Sequence, residues 1–184
     1  SVLLLDGDTQ TTYMDQTDMA TVPVMADAGT ASIVSLGKSA SPWKFTFMTD
    51  GEKGDALTLP FGGRISMDGL GIFKFVTMDV LSLIRDFMTQ AGETPASLDA
   101  FVPHQANIFM IQQIAKKLKF PAEKLALSGD VLGNSSSATV PTTIAYAAIR
   151  GRLLIAGFGG GLSASVGVID LSKDAYLKAI NYGV

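Results

Sequence analysis

No cysteine occurs anywhere in this sequence, and there is only one histidine and one tryptophan. The first absence excludes a disulfide framework, a cysteine-ligated zinc site and a thiol nucleophile within these residues. Charge is scarce too, at 17% of residues against 47% hydrophobic. Fourteen basic and 17 acidic residues leave a net charge of −3, and the isoelectric point is near 5.0. Such a chain has no bulk attraction to nucleic acid, and no nucleic-acid partner is expected. Long apolar runs are missing as well. Leu153-Leu154-Ile155-Ala156 falls far short of the roughly 20 residues a membrane-crossing helix needs, so no membrane partner is expected. No charged segment leading into an apolar stretch opens the chain, and no secretory leader is expected.

What is present points to a folded, deeply buried chain. The mean hydropathy is +0.32, and the 19 glycines and 7 prolines are scattered rather than clustered, which argues against disorder. A length of 184 residues suits one large or two small domains. Apolar residues this much in excess of charge predict some surface buried against a partner. The first residue is Ser1, not Met, and it runs straight into Val2-Leu3-Leu4-Leu5. That pattern predicts a fully buried strand, and with it a chain that is part of something longer.

Residues 31–36 read as a second strand. Residues 43–48 read as a third, half-buried one, with Trp43, Phe45 and Phe47 alternating against Lys44, Thr46 and Met48. Residues 9–21 and 51–63 are turn-rich. Apolar residues at helical spacing predict a long amphipathic helix over 72–90. A short strand over 98–102 is fixed as extended by Pro103. A helix follows over 105–118, then a turn at 121–124 and a brief strand at 125–127. The Gly133-Asn134-Ser135 break precedes a third helix over 138–149. Strands at 153–158 and 163–171 flank a tight turn at Gly159-Gly160-Gly161, and 175–180 is a candidate edge element. Helices alternating with strands that lack a polar face argue an α/β domain around a sheet buried on both sides. Only Arg150-Gly151-Arg152 links the third helix to the next strand, which implies either a very tight turn or residues absent at that point.

His104 stands at the end of a buried strand and just before a helix. It is either a histidine satisfied by backbone at a corner or a catalytic imidazole at the edge of a sheet, where α/β folds place their sites. The following helix N-terminus would favour a neutral ring that donates a hydrogen bond. Asn134 is an ordinary turn or cap residue, or else a second neutral donor that holds a developing oxyanion together with His104. Gly159-x-Gly161-x-x-Ala164 matches a dinucleotide pattern only superficially, because a strand and not a helix follows it. Its backbone N–H groups can still line a site. Asp6 and Asp8 read as a solvated turn, since no further ligands follow at calcium-loop spacing. Met67 and Phe73 are candidates for an acyl pocket.

Three ordered motifs, Val102-Pro-His-Gln-Ala-Asn107, Gly133-Asn-Ser-Ser-Ser-Ala-Thr-Val-Pro141 and Gly157-Phe-Gly-Gly-Gly161, closely resemble the C-terminal half of β-ketoacyl-acyl-carrier-protein synthase III, a thiolase-fold condensing enzyme. Met67-Asp-Gly69, Phe73-Lys-Phe75 and the Asp-Ala-Gly within 22–31 support it, and the likeness runs over nearly the whole chain.

The resemblance implies that residues 1–184 are a C-terminal thiolase-like domain, an α/β half with a mixed five-stranded sheet and helices packed on its faces. The intact enzyme would stack two such halves as α-β-α-β-α, and would be a cytoplasmic homodimer of fatty acid biosynthesis. A cysteine of the other half would take the acyl group from an acyl-CoA primer. His104 and Asn134 would bind the malonyl thioester carbonyl and stabilise the enolate formed on decarboxylation. Gly159, Gly160 and Gly161 would offer a backbone N–H to the tetrahedral oxyanion. Met67, Gly69, Phe73, Asn107 and Phe158 would line the acyl or pantetheine pocket. No metal or resident cofactor is implied, since the substrates ride on coenzyme A and on the phosphopantetheine of acyl carrier protein. This chain alone, without the cysteine, is expected to be inactive.

In the family a basic residue often lies two positions beyond the Asn of the first motif, where this sequence has Phe109. Lys116, Lys117 and Lys119 are then the candidates for carrier-protein docking. Among alternatives, a degradative thiolase would carry a second cysteine where Gly157 stands. A chalcone-synthase-like polyketide enzyme would share the His and Asn, and a non-catalytic subunit or carrier-protein-binding module would pair with a cysteine-bearing partner.

Overall fold

Alternation along three adjacent strands decides the architecture. In the computed structural model, which describes residues 1–19, 21–37 and 42–180, Leu154 and Ala156 of β7 (Gly151–Gly159) enter one core while Leu153 and Ile155 enter another. On β8 (Ser163–Leu171), Ala164, Val166 and Val168 face the first core, and Ile169 and Leu171 the second. On β6 (Ala100–Pro103), Phe101 faces the first core, and Ala100 and Val102 the second. A sheet whose two faces are both apolar needs a layer on each. With β3 (Lys44–Thr49) it runs in the order β3-β8-β7-β6. The β6/β7 pair is parallel, and the pairs β7/β8 and β8/β3 are antiparallel. The mixed α/β sheet is as expected, but it has four laddered strands among the described residues where five were expected. The strand expected at 125–127 is reduced to one parallel bridge, Phe101 to Leu125, with Ala126 N donating to Phe101 O at 2.9 Å.

One continuous helical rod covers the first face: α1 (Gly69–Phe75), a π-helical stretch (Val76–Val80) and α2 (Leu81–Ala91). It starts before residue 72 because Asp68 caps it, its carboxylate accepting from Leu70 N at 3.0 Å. It stops at Gly92, which takes the left-handed conformation at φ 73°. Val76, Val80 and Ile84 are fully buried against Ile114 of α3 (Ile108–Lys117) and the sheet. On the second face lies α5 (Thr139–Tyr146), through Val140 and Ile144. A short helix, α4 (Gly129–Leu132), precedes the Gly133 break and was not foreseen. The turn-rich segments hold two small strands, β4 (Leu57–Thr58) and β5 (Ser66–Met67), that pair with each other. Residues 175–180 form no regular element. The short link to β7 is closed by left-handed backbone at Ala148 (φ 51°) and Gly151 (φ 100°). Arg152 then anchors the strand through ion pairs to Glu93 at 2.6 Å and Asp170 at 2.8 Å. No described helix is long and apolar enough to cross a membrane.

Two burial expectations are corrected. Val2–Leu5 do form a strand, but it is exposed, with Leu5 at 71%. The strand extends through the expected 6–8 turn as β1 (Val2–Asp8) and pairs antiparallel with β2 (Ala28–Val34) in a two-stranded ribbon separate from the main sheet. That ribbon meets the rest mainly through residues 136–138 and α5, so most of its apolar surface has no layer over it among the described residues. On the edge strand β3 the aromatic side points outward: Phe47 is 75% exposed, while Thr46 and Met48 turn inward. Phe45 lies over Gly167, where a Cβ would meet the ring at 2.5 Å, so glycine there makes room for an aromatic on the outer face.

Leu154→Ala is expected to lower the unfolding free energy by about 2–5 kcal/mol, as a fully buried leucine in a packed core. Phe47→Ser is expected to change it by no more than about 0.5 kcal/mol. Urea unfolding of the two variants checks the pair, and equal losses would contradict the burial pattern.

Candidate active site

The parallel ladder between β6 and β7 runs one residue past the end of β6. His104 N donates to Ala156 O at 2.7 Å, which puts the histidine at the carboxyl-terminal edge of a buried strand. Next to it, the buried Gln105 fastens the loop. Its Nε2 donates to Pro103 O at 2.7 Å and Ala126 O at 3.2 Å, and its Oε1 accepts from Ser128 N at 2.9 Å and Gly129 N at 3.2 Å. Asn107 then caps α3, its side chain accepting from Met110 N at 3.2 Å, which is why the helix begins at 108 and not at 105.

The imidazole is half-buried. Nδ1 lies 2.6 Å from Thr139 Oγ1, and Phe158 meets the ring edge-on at 5.2 Å between centroids. Burial pushes the His104 pKa down to about 4, against a smaller opposing effect of the Ser136 backbone. The ring is therefore neutral at pH 7, as expected. The leading cause is desolvation, and α3 begins only at residue 108.

Asn134 is set by a neighbouring segment. Its N donates to Val24 O at 2.8 Å and its O accepts from Ala26 N at 2.8 Å. Gln10 Nε2 donates to the same Asn134 carbonyl and to Ala26 O at 3.1 Å. In the side chain, Oδ1 accepts from Ser136 N at 2.9 Å. That bond fixes the amide orientation, leaving Nδ2 as the group with hydrogens to offer. Gly133 allows this close approach. It sits at φ 68°, and a Cβ there would come within 2.7 Å of the Ala26 Cβ.

His104 and Asn134 line two cavities at once, of about 690 Å³ and 460 Å³, which also share Phe158 and Gly159. Met67, Gly69, Phe73, Asn107 and Phe158, the five residues expected in one pocket, all line the smaller cavity. Phe109, 61% exposed, stands on its wall. Of the glycine turn, Gly159 and Gly160 border the larger cavity, while Gly161 lines neither. Lys116, Lys117 and Lys119 are exposed at the other end of α3, about 12 Å along its axis from Ile108 at 1.5 Å per residue.

Asp8 lies on β1 and not in a solvated turn, bordering the larger cavity. It accepts from Ser137 Oγ at 3.0 Å and Ser137 N at 3.3 Å, and although burial opposes it, hydrogen bonds from Ser136 and Ser137 draw its pKa below the usual aspartate value. Gln10, Met25 and Thr139 also belong to this site and were not singled out by sequence. Gln105 at least sat inside a recognisable motif, whereas Gln10 and Met25 are distant in sequence and carried no local signal.

Two outcomes follow from this geometry. The native ring stays neutral while the unfolded chain takes up a proton below about pH 6.5, so the unfolded state binds more protons between pH 6.5 and 4. Stability is then expected to be undiminished above pH 6.5 and to fall by up to about 3 kcal/mol as pH drops toward 4. Comparing urea unfolding of the wild type and His104→Gln across this range isolates the effect, and parallel pH profiles would contradict it. Separately, Gly133→Ala is expected to cost about 1–3 kcal/mol, by forcing a side chain into backbone space reserved for glycine. Thermal unfolding measures it, and an unchanged midpoint would mean that the contact with Ala26 relaxes freely.

Known proteins resemble this chain in sequence and in fold. Residues 88–171 match the family model described as 3-oxoacyl-[acyl-carrier-protein] synthase III C terminal. A β-ketoacyl-[acyl-carrier-protein] synthase III from Syntrophomonas wolfei is 31% identical over 88% of this chain and 55% of its own length. The solved 3-oxoacyl-(acyl-carrier protein) synthase from Burkholderia xenovorans LB400 superposes with a TM-score of 0.85 at 29% identity, over 92% of this chain and 56% of that one. The priming β-ketosynthase of the R1128 polyketide biosynthetic pathway gives 0.80 at 27%, over 92% and 57%. The chain thus spans a little over half the length of these relatives. Over residues 88–171 the chain is thus similar to the C-terminal domain of 3-oxoacyl-[acyl-carrier-protein] synthase III, and it has the thiolase-like fold of these solved relatives.

Proposed function

We propose that this chain is the C-terminal catalytic half of a 3-oxoacyl-[acyl-carrier-protein] synthase III, an acyltransferase that performs a decarboxylative Claisen condensation in cytoplasmic fatty acid biosynthesis. The observation that carries the reading is the position of His104 and Asn134, two neutral polar groups on the shared wall of two cavities. One cavity would admit the substrate arm, and the other would face the half that brings the cysteine.

On this reading the malonyl thioester enters along the smaller cavity, between Met67, Phe73 and Asn107. Its phosphopantetheine belongs to acyl carrier protein, and no resident cofactor takes part. The thioester carbonyl oxygen accepts from Asn134 Nδ2 and His104. The bond to the carboxylate breaks, carbon dioxide leaves, and the electron pair delocalises onto that oxygen as an enolate. Donors already fixed in a water-poor site stabilise this charge more than they stabilise the neutral ground state, which is what lowers the barrier. The enolate carbon then attacks the acyl-cysteine thioester. The cysteine sulfur departs as thiolate, while a backbone N–H of Gly159 or Gly160 supports the tetrahedral oxyanion. A carrier protein lying along α3 would reach both the mouth at Phe109 and the lysines at 116, 117 and 119. Pairing with the cysteine-bearing half, and homodimerisation of the whole, belong to the same proposal. Similarity to the R1128 priming ketosynthase favours, as second reading, the same chemistry with the primer of a specialised polyketide pathway.

The test begins with the native reading frame, where about 150 additional upstream residues containing a cysteine are expected; 150 is the size of one domain. In that full-length protein, His104→Ala and Asn134→Ala are each expected to cut malonyl decarboxylation about 10²–10³-fold, the effect of losing one oxyanion donor, while acyl transfer to the cysteine largely survives. Unchanged decarboxylation in both variants would refute the assignment. The 184-residue chain alone is expected to show no condensation with acyl-CoA and malonyl carrier protein. Turnover by this chain alone would mean that the nucleophile lies within it.

A further inference from the structure

A neutral imidazole has one N–H and one lone pair, and the proposed chemistry works only if the hydrogen sits on the nitrogen that faces the substrate. Among the described residues no side chain is hydrogen-bonded to Nε2, and the ring borders both cavities. The proton's location is therefore decided chiefly at Nδ1, whose side-chain partner is the hydroxyl of Thr139 at 2.6 Å, with the Ser136 backbone acting on the ring as well. Thr139 is 2% exposed and opens α5, so neither solvent nor an alternative side chain competes for that position.

The hydroxyl has one hydrogen and two places to send it, Nδ1 at 2.6 Å or Ser136 O at 3.0 Å. Donation to Ser136 would make Nδ1 the N–H and turn a lone pair toward the cavities. Donation to Nδ1 would do the reverse. The Ser136 carbonyl already accepts from the backbone N–H of Thr139, so it does not need the hydroxyl. Among the described residues no other side-chain donor is hydrogen-bonded to Nδ1. The hydroxyl contact to Nδ1 is also the shorter of the two.

We propose that Thr139 is the positioning residue that sets the His104 tautomer, its buried hydroxyl donating to Nδ1 so that Nε2 carries the hydrogen and faces the cavities as a donor. The inference rests on the proposed role of His104 for its catalytic meaning, but not for its test. Second-sphere hydrogen bonds of this kind select tautomer and orientation in many imidazole sites. Here the selector is a hydroxyl that contacts no reacting atom.

Because His104 is the sole histidine, ¹⁵N-imidazole labelling of the 184-residue chain yields a single pair of ring nitrogen signals. At neutral pH the unprotonated nitrogen resonates far downfield of the protonated one, and long-range coupling to the ring carbons identifies each. The wild type is expected to be the Nε2–H tautomer. Thr139→Ser, which keeps the hydroxyl, is expected to leave it so. Thr139→Val, nearly equal in volume, is expected to move most of the population to Nδ1–H, since Ser136 O is then the acceptor left nearby. A wild type with the hydrogen on Nδ1, or a Thr139→Val spectrum like that of the wild type in a folded protein, would overturn the proposal. None of these readouts needs turnover. If His104→Ala spared decarboxylation while the tautomer still followed Thr139, the functional reading would fail and this inference would stand.

Discussion

Two backbone hydrogen bonds at Asn134 hold the site together. Residues 24–26 run beside it like a short parallel strand, Val24 O accepting from Asn134 N and Ala26 N donating to Asn134 O. Without that seam, the β1–β2 ribbon would lose a main attachment to the four-stranded domain. The Asn134 amide would also lose its reference frame. The ends of the seam explain otherwise arbitrary residues. Gly133 is glycine because Ala26 leaves no room for a Cβ, and Gln10 is polar because its amide donates to the carbonyls of Asn134 and Ala26. One side chain on the ribbon, Asp8, adds a further tie through Ser137. An amide on the wall of both cavities is thus oriented by the seam that ties the ribbon to the four-stranded domain, so site geometry and packing of the two parts are the same physical problem.

Neutrality is the second theme. A charged imidazolium near the carboxylate of a malonyl group would bind the ground state strongly, before any charge moves onto the thioester oxygen. Burial against Phe158 keeps His104 neutral, so on the proposed reading its interaction would strengthen mainly as the enolate forms. Asn134 needs no such tuning because an amide is always neutral. Both groups owe their pointing to protein hydrogen bonds, one through Thr139 and the other through Ser136 N. The residues before and at the start of α5 thus serve both halves of the pair, which gives the serine-rich motif a physical purpose beyond turn formation.

How much of this was legible in the sequence depended on range. Local periodicity located the rod over 69–91, the β6 corner at His104 and the β7–β8 hairpin, because each is encoded by neighbours within a few residues. The five pocket residues were also found together, although only through likeness to a family and not through spacing. Burial of the first strand was misjudged because an apolar run reports what a strand needs and not whether a covering layer lies in the same stretch of chain. The outward aromatic face of β3 was misjudged for a similar reason: alternation gives two faces but not which of them meets the core. Gln10, Met25 and Thr139 stayed invisible because their contacts with Asn134 and His104 join elements far apart in sequence, by hydrogen bonds with no compositional mark.

Helix α3 shows how one element divides two tasks on the proposed reading. Its amino-terminal end carries Asn107 and Phe109 at the cavity, and its carboxyl-terminal end carries the three exposed lysines. Separation by about 12 Å exceeds the Debye length of about 8 Å at physiological ionic strength, so the lysines' charge is largely screened at the cavity mouth. Lysines there can steer a partner during approach and complement the helix dipole, but they cannot seat its prosthetic arm. Seating falls to the apolar surface around Phe109, an interaction that salt leaves nearly intact. Where a basic side chain at that position would combine attraction and seating at one point, the proposed reading separates them along α3 and the residues just after it. Ionic strength should therefore act on the rate of encounter and scarcely on the lifetime of the complex.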